Sequence, residues 1–433
     1  MSLVGDFVFD VTVVLWVATV IAKDQPWAPL AVGGALIAAA APVMLVGPFA
    51  GVFVDRWDRR RTMMATDLIR AALIAALLVI PVLGERLSVS VQLAVVYGVV
   101  ALASATAQFF NGARFGLLAR VVAATDQPRA GGISQTTVAV ASIIGPPLAA
   151  PLLFSIGVQW ALIVNSLSFV ASFVAVLAIR EGAVGVDDVD GSTASRNFRR
   201  EFAEGARFFA GNRILRALMI CVVVATLGIG AINALDVFFV TDNLHAPAAA
   251  LGTLGAALGV GSVVGAVIAT AVGSRVRSLT MFWIMLTALG VAVVAYARAT
   301  NLGIAIAILF LAGVPLAIVN SVAGPILLTA TPQRLLGRVM AVFNPIQQVA
   351  AIAGMALVAY LASTTLRGLD ATVGGVHFGR IDSIFLVAGL LICGSGLWVG
   401  SALRGVDARA PVDEPQAPDA EPLSEEDSAI AQA

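Results

Sequence analysis

Charge is what this chain has least of. Only 12% of its 433 residues are Asp, Glu, Lys or Arg, against 59% hydrophobic, and the mean hydropathy is +0.96. A water-soluble domain of this length cannot cover its surface with so few charges, so lipid is the expected solvent for most of the chain. Cysteine is as scarce: Cys221 and Cys393 both lie inside apolar runs. That excludes a disulfide framework and reads as two free, buried thiols. The two histidines, His245 and His377, fall in expected loops. Without a His/Cys cluster at ligand spacing, no metal site is expected. No Gly-x-x-x-x-Gly-Lys phosphate loop occurs, so ATP hydrolysis is not expected. Nor does any nucleophile-and-base constellation point to an enzyme. No catalytic residue, cofactor or nucleic-acid partner is expected.

What the chain does have is long apolar runs. Twelve of spanning length, about 20 residues each, fall near 3–22, 30–53, 62–83, 91–110, 133–155, 159–179, 215–240, 249–272, 279–297, 302–328, 337–363 and 383–403. The first carries Asp6 and Asp10 and lacks a basic leader, so it is expected to be a retained span and not a cleaved signal. The basic residues set the topology. Of 26, only Lys23, Arg86, Arg298, Arg367 and Arg380 fall on one side, and Arg70 lies within the third run. All the others fall on the opposite side, which the positive-inside rule makes cytoplasmic. Both termini are therefore expected in the cytoplasm, with the chain as a multi-pass protein of the plasma (inner) membrane.

The chain repeats itself. Gly47–Met63 aligns without gaps on Gly265–Met281, and Phe9-Asp10-Val11 resembles Leu235-Asp236-Val237. The expected organisation is an N-terminal half over 1–180, a cytoplasmic linker over 181–213, a C-terminal half over 214–405 and an acidic tail over 406–433. Parallel repeats of this kind are a transporter pattern. Within the linker, Phe198, Phe202, Ala206 and Phe209 share one helical face. This is either a helix lying on the inner leaflet or a regulatory helix. The tail is rich in Pro, Asp and Glu and is expected to be disordered.

The densest charge sits in Gly51-Val-Phe-Val-Asp55-Arg56-Trp57-Asp58-Arg59-Arg60-Arg61, between the second and third runs. Its spacing, G-x-x-x-D-R-x-x-R-R-R, resembles the loop motif of the major facilitator superfamily of secondary transporters. Where that family usually has a glycine before the basic pair, this chain has Asp58. With Asp67-Leu-Ile-Arg70 just downstream, the variant is similar to the enterobactin-exporter and macrolide-efflux branch. The resemblance covers most of the chain. It implies an all-α membrane protein with twelve transmembrane helices in two pseudo-symmetric six-helix bundles. It also implies that spans 1, 4, 7 and 10 line a central cavity and that Asp55, with Arg56, Arg59 and Arg60, forms a gate. In the second copy Asp55 becomes Gly273 and Arg56 becomes Ser274, so only one loop keeps the charged lock.

Charge inside the spans is the cue to chemistry, because a charged side chain at mid-bilayer costs roughly 2.5–3.5 kcal/mol even on lenient scales. Asp6 and Asp10 are spaced i, i+4 and share one face. At 1.5 Å per residue, Asp10 lies about 18 Å from Ala22, near the midplane. It is a candidate for proton coupling or for recognising a cationic substrate, and equally for helix packing. Asp236 matches it in the repeat but lies closer to the outer end. Asp67 and Arg70, one turn apart, are expected to neutralise one another or to pair with the loop. Gln108, Asn111 and Asn320 are candidate cavity groups, though an interhelical hydrogen bond also explains each. Gly145 and Pro146 lie in a degenerate version of the Gly-Pro motif of drug/proton antiporters. Together with Gly255 and Gly259 they are expected at the seam between halves.

The function expected is proton-coupled export, by alternating access, of a small amphipathic molecule such as a siderophore, macrolide or other drug-like compound. The alternatives are an importer or facilitator of a small metabolite, and a non-transporting receptor or scaffold. The expected partners are the substrate, protons and the lipid bilayer, with the protein as a monomer.

Overall fold

The computed structural model describes residues 2–54, 56–83, 86–122, 126–178, 206–272, 277–332, 335–366, 368–373 and 376–403. Asp55, most of the linker, the second copy of the loop at 273–276 and the acidic tail lie outside them.

Eleven helices among the described residues are long and apolar enough to cross a membrane. A twelfth has its apolar part confined to Val140–Ile156. Span 1 is Ser2–Trp16, span 2 Ala28–Val54, span 3 Arg59–Ala76 with Val79–Leu83, span 4 Val89–Val121, span 5 Gln127–Pro151 and span 6 Val158–Ala178. Span 7 is Arg213–Phe238, span 8 Ala250–Val272, span 9 Ser278–Ala297, span 10 Leu302–Thr329, span 11 Leu336–Ser363 and span 12 Arg380–Ala402. Spans 1, 5 and 7 each end in a π-helical turn, at Val17–Ile21, Leu152–Ile156 and Phe239–Asn243.

Local chemistry starts several of these helices. Asp58 accepts from the Arg61 amide at 2.6 Å, so the residue standing in place of the family's glycine is the N-cap of span 3. Asn212 caps span 7 through the amides of Ile214 and Leu215, and Asn301 caps span 10 through Ile304. Each cap satisfies donors that the first helical turn leaves open. Span 5 runs through Pro146, Pro147 and Pro151 and ends at Gly157, whose φ of 104° only glycine adopts readily. The chain reverses there directly into span 6.

One feature departs from an all-helical chain. Asp370–Val373 and Val376–Gly379 form a short antiparallel hairpin between spans 11 and 12, with Val373 opposite Val376.

The helices form two six-helix bundles, spans 1–6 and spans 7–12. The halves join principally along spans 2 and 11 and along spans 5 and 8. These contacts come from mid-membrane and from the end of the bundle remote from the termini, here called the far end. Gly33 of span 2 lies against Ala359 of span 11, and Gln348 donates to the Ala40 carbonyl at 3.0 Å. Gly252 of span 8 lies on the backbone of Pro146 and Pro147, where an added Cβ would come within 2.7 Å of the Pro146 oxygen. The largest buried apolar cluster spreads over this far end and unites both halves through Leu15, Trp16, Leu235, Phe239 and Phe385. Toward the termini each half has a buried cluster of its own, with Val54, Met63 and Phe110 in the first and Leu215, Phe282 and Phe343 in the second, and Asn111 of span 4 and Asn320 of span 10 are exposed. The bundle is closed at its far end and open toward its termini.

Candidate functional site

Spans 1, 2, 3, 4 and 6 line a partly open cavity of about 230 Å³ in the first half. Asp6 and Asp10 line it together, as one helical turn between them requires. Arg70 of span 3 enters from the side, and its Nη2 lies 2.8 Å from Asp6 Oδ1. The guanidinium also sits over the Phe169 ring, 4.0 Å from its centroid, an arrangement favourable for a desolvated cation. Asp10 is exposed into the cavity, and no hydrogen bond holds it among the described residues. Asn165 of span 6 closes the wall. It is buried, and its Nδ2 has no hydrogen-bond partner among the described residues.

The pairing of Arg70 corrects one sequence expectation. Asp67 and Arg70 do not neutralise one another; Arg70 reaches across to span 1. Asp67 is fully buried and makes no ion pair with Arg70 among the described residues; Ser172 is its hydrogen-bonding neighbour. Residues three apart on a helix are neighbours, but Arg70 turns to the carboxylate facing the cavity. Nothing local in the sequence marks Asp6 as its partner, 64 positions away. Asn165 was missed for the same reason.

A second hollow, of about 200 Å³, lies in the other half between spans 7, 9, 10 and 11. Asn320, Gln347, Thr226 and Cys221 are its polar groups, and Phe282 and Phe343 typify its apolar walls. Gln108 and Asn111 line neither hollow. Gln108 donates to the Ser104 carbonyl of its own helix, and Asn111 is exposed nearer the termini. Asp236 is elsewhere too. It accepts a hydrogen bond from the Tyr296 hydroxyl, beside a cluster in which Tyr296 stacks on Phe385 and Phe239 is tilted against both.

The charged loop is anchored within its own half. Arg59 Nη1 donates to the Gly116 carbonyl at 3.2 Å, and Arg60 donates to the carbonyls of Val176 and Leu177. The latter two are among the last of span 6, where unsatisfied carbonyls and the helix dipole favour a cation. Arg56 is exposed in the turn, and Trp57 stacks on Phe109 with ring centroids 6.0 Å apart.

At the seam, Gly255 faces Pro146 and Gly259 faces Ile143. Gly145 does not belong there. A side chain on it would strike Phe7 of span 1, so it packs inside the first half. The far end carries two further ion pairs that sequence reasoning overlooked, Arg298–Asp382 at 3.0 Å and Arg380–Asp242 at 3.1 Å. Asp382 sits in the first turn of span 12, where a carboxylate complements the helix dipole. That position was the available signal.

The family model of the Major Facilitator Superfamily matches residues 1–354. The chain belongs to that superfamily. It is a membrane transporter of small molecules and not an enzyme. Its sequence is 29% identical over 345 residues to the multidrug efflux pump Tap of Mycolicibacterium fortuitum, covering 76% of this chain and 80% of that one. It is 28% identical over 363 residues to Tap of Mycobacterium tuberculosis, strain H37Rv, covering 80% and 83%. It is 23% identical over 339 residues to the MFS-type transporter YkuC of Bacillus subtilis, covering 76% of each. Among solved structures, the nucleoside transporter NupG superposes with a TM-score of 0.69 at 10% identity, covering 93% of this chain and 97% of that one. A bacterial homologue of the lysosomal transporter Spinster, in an inward-facing conformation, gives 0.61 at 13% identity, with 93% of each chain covered. At such identities these two establish the fold alone.

Proposed function

We propose that this transporter exports small amphipathic molecules, of siderophore, macrolide or drug-like class, in exchange for protons. Its membrane is the bacterial inner membrane, its termini are cytoplasmic, and it works as a monomer. With that orientation, the open end of the bundle faces the cytoplasm.

The observation that carries the reading is the arrangement of Asp10 beside the Asp6–Arg70 pair. Arg70 compensates Asp6 and fixes it. Asp10 keeps its carboxylate free in a cavity at mid-membrane depth, where a charge has little use unless it exchanges. Facing the cytoplasm, Asp10 releases its proton and the site accepts substrate. Facing outward, it takes a proton and substrate leaves. The apolar hollow of the second half gives an amphipathic body a surface to lie on. The Tap pumps, named for multidrug efflux, support the direction.

Asp55 and the loop arginines serve as the cytoplasmic gate in this reading. In the outward-facing state Asp55 meets the positive N-terminal end of span 11. That contact exists in one state only and so sets the balance between the two.

Inside-out vesicles holding the full chain test the direction. An imposed gradient, acid inside, is expected to drive accumulation of an amphipathic fluorescent drug at least several-fold over vesicles without the protein. Accumulation driven only in right-side-out vesicles would make the protein an importer.

A further inference from the structure

The second half has a groove that the transport cycle leaves unexplained. Spans 11 and 12 both pack on span 7, yet they scarcely touch each other. The gap between them is a hollow of about 350 Å³, and among the described residues Ser383 is the only polar one in its wall. Its floor is made by small residues, Gly228 and Ala231 of span 7, Gly354 of span 11 and Ala388 of span 12. Close packing keeps the floor small: a Cβ on Gly354 would come within 2.6 Å of the Leu227 carbonyl oxygen. The rim is Leu357 and Val387, each 55% exposed, and Leu391, 58% exposed.

The first half is built alike: spans 5 and 6 both pack on span 1 and, outside the π-helical turn that joins them, scarcely touch each other. There, spans 5 and 6 reverse through Gly157 alone and are held together by that turn. Spans 11 and 12 are separated by residues 364–379, which include the hairpin. The difference between the halves is this longer connection, from which Leu366 and Leu369 roof the opening.

We propose that this groove is a binding site for one acyl chain of a phospholipid in the far leaflet. The wall lies at membrane depth, where the surrounding solvent is hydrocarbon and not water. Along span 12 the lining runs from Ser383 to Leu391, about 12 Å at 1.5 Å per residue. One leaflet contributes about 15 Å of a hydrocarbon core about 30 Å thick. The groove therefore takes a single chain lying along the membrane normal, entering under the roof at the far end. Span 7 forms the floor, so the site is set apart from the hollow that faces the seam. The chain fills the back of span 11, opposite the face that Ala359 presents to Gly33 of span 2, and supports span 11 in the closed far end.

The test is photolabelling of the full-length protein in nanodiscs made with a phospholipid that carries a diazirine on its acyl chain. Adducts are then mapped by mass spectrometry. Labelling is expected to concentrate on 357–369 and 383–391 and to persist on protein washed in detergent before irradiation. Val387→Trp, which fills the groove from its exposed rim, is expected to cut those adducts at least fivefold. Leu390→Trp, exposed on the same helix but outside the groove, is expected to leave them unchanged. Leu357→Trp closes the opposite wall and repeats the test should Val387→Trp fail to insert. Labelling spread evenly over the lipid-facing spans, lost on washing, or unchanged in both filling variants would overturn the proposal. So would a co-purifying apolar compound other than a lipid in the groove. None of these readouts depends on transport.

Discussion

In the first half, the wall facing the cavity carries Asp6, Asp10, Arg70 and Asn165. In the second half, the corresponding hollow carries Thr226, Asn320 and Gln347 among aromatic and aliphatic side chains, and no charged residue. Both halves are six-helix bundles with traces of one repeat, yet ionisable chemistry resides in one and apolar surface in the other. The repeated acids show how the copies diverged. Asp10 and Asp236 share a sequence neighbourhood, but Asp236 sits about one helical turn closer to the far end of its span. One turn is about 5.4 Å, enough to take a carboxylate from the wall of a cavity to a tyrosine hydroxyl inside an aromatic cluster. Sequence equivalence and functional equivalence part at that turn.

The sharpest way to break this comparison is to remove each acid. Asp10→Asn is expected to abolish efflux driven by a pH gradient while downhill exchange of substrate stays measurable. Asp236→Asn is expected to keep at least half of the gradient-driven rate and to lower thermal stability, because Asn alters the bond to Tyr296. Both are read in the same proteoliposomes with and without an imposed gradient. A full gradient response in Asp10→Asn would move coupling to Asp6, Asp67 or Asp236.

A smaller asymmetry separates the two copies of the charged loop. Asp55→Asn is expected to slow transport about tenfold at unchanged protein abundance, whereas Gly273→Asp, which restores an acid to the second copy, is expected to change it less than twofold. Transport rate per inserted molecule is the measurement. Equal sensitivity of the two positions would mean that the charged loop has no gating role peculiar to the first half.

Most of the fold was legible because hydrocarbon imposes a single demand, a long apolar helix, and hydropathy reports it directly. The runs expected from sequence match the helices to within a few residues at most ends. They fall short where polar residues extend a helix beyond the hydrocarbon, as in span 4, which continues from Phe110 to Val121. The site was legible only in part. Asp6, Asp10 and Arg70 stood out as intramembrane charges, but their pairing depends on how spans 1 and 3 rotate against each other. No local pattern encodes that rotation. Gly145 was misplaced for the same reason: small residues mark a close contact without naming the partner, and here the partner is Phe7. The hairpin did leave a signal, since the sequence Gly-Gly between Val373 and Val376 is a common two-residue hairpin connection. In a chain so dominated by apolar helices, two strands of four residues leave only a faint pattern.

The smallest expected effect concerns Asp58, and it explains how this loop departs from its family's pattern. Asp58 caps span 3 through the Arg61 amide, whereas span 9, its counterpart, has Arg277 at the N-cap position and no side-chain capping bond there. A glycine at an N-cap costs only a few tenths of a kcal/mol relative to Asp, because it leaves the first amides open to water. An alanine there costs about 1 kcal/mol. Asp58→Gly and Asp58→Asn should therefore both leave thermal unfolding in detergent nearly unchanged, and Asp58→Ala should lower its midpoint slightly. None of the three should reduce transport by more than about twofold. If Asp58→Asn proved as inactive as Asp55→Asn, the charge of Asp58 and not its cap would matter, and the lock would extend across both aspartates of the loop.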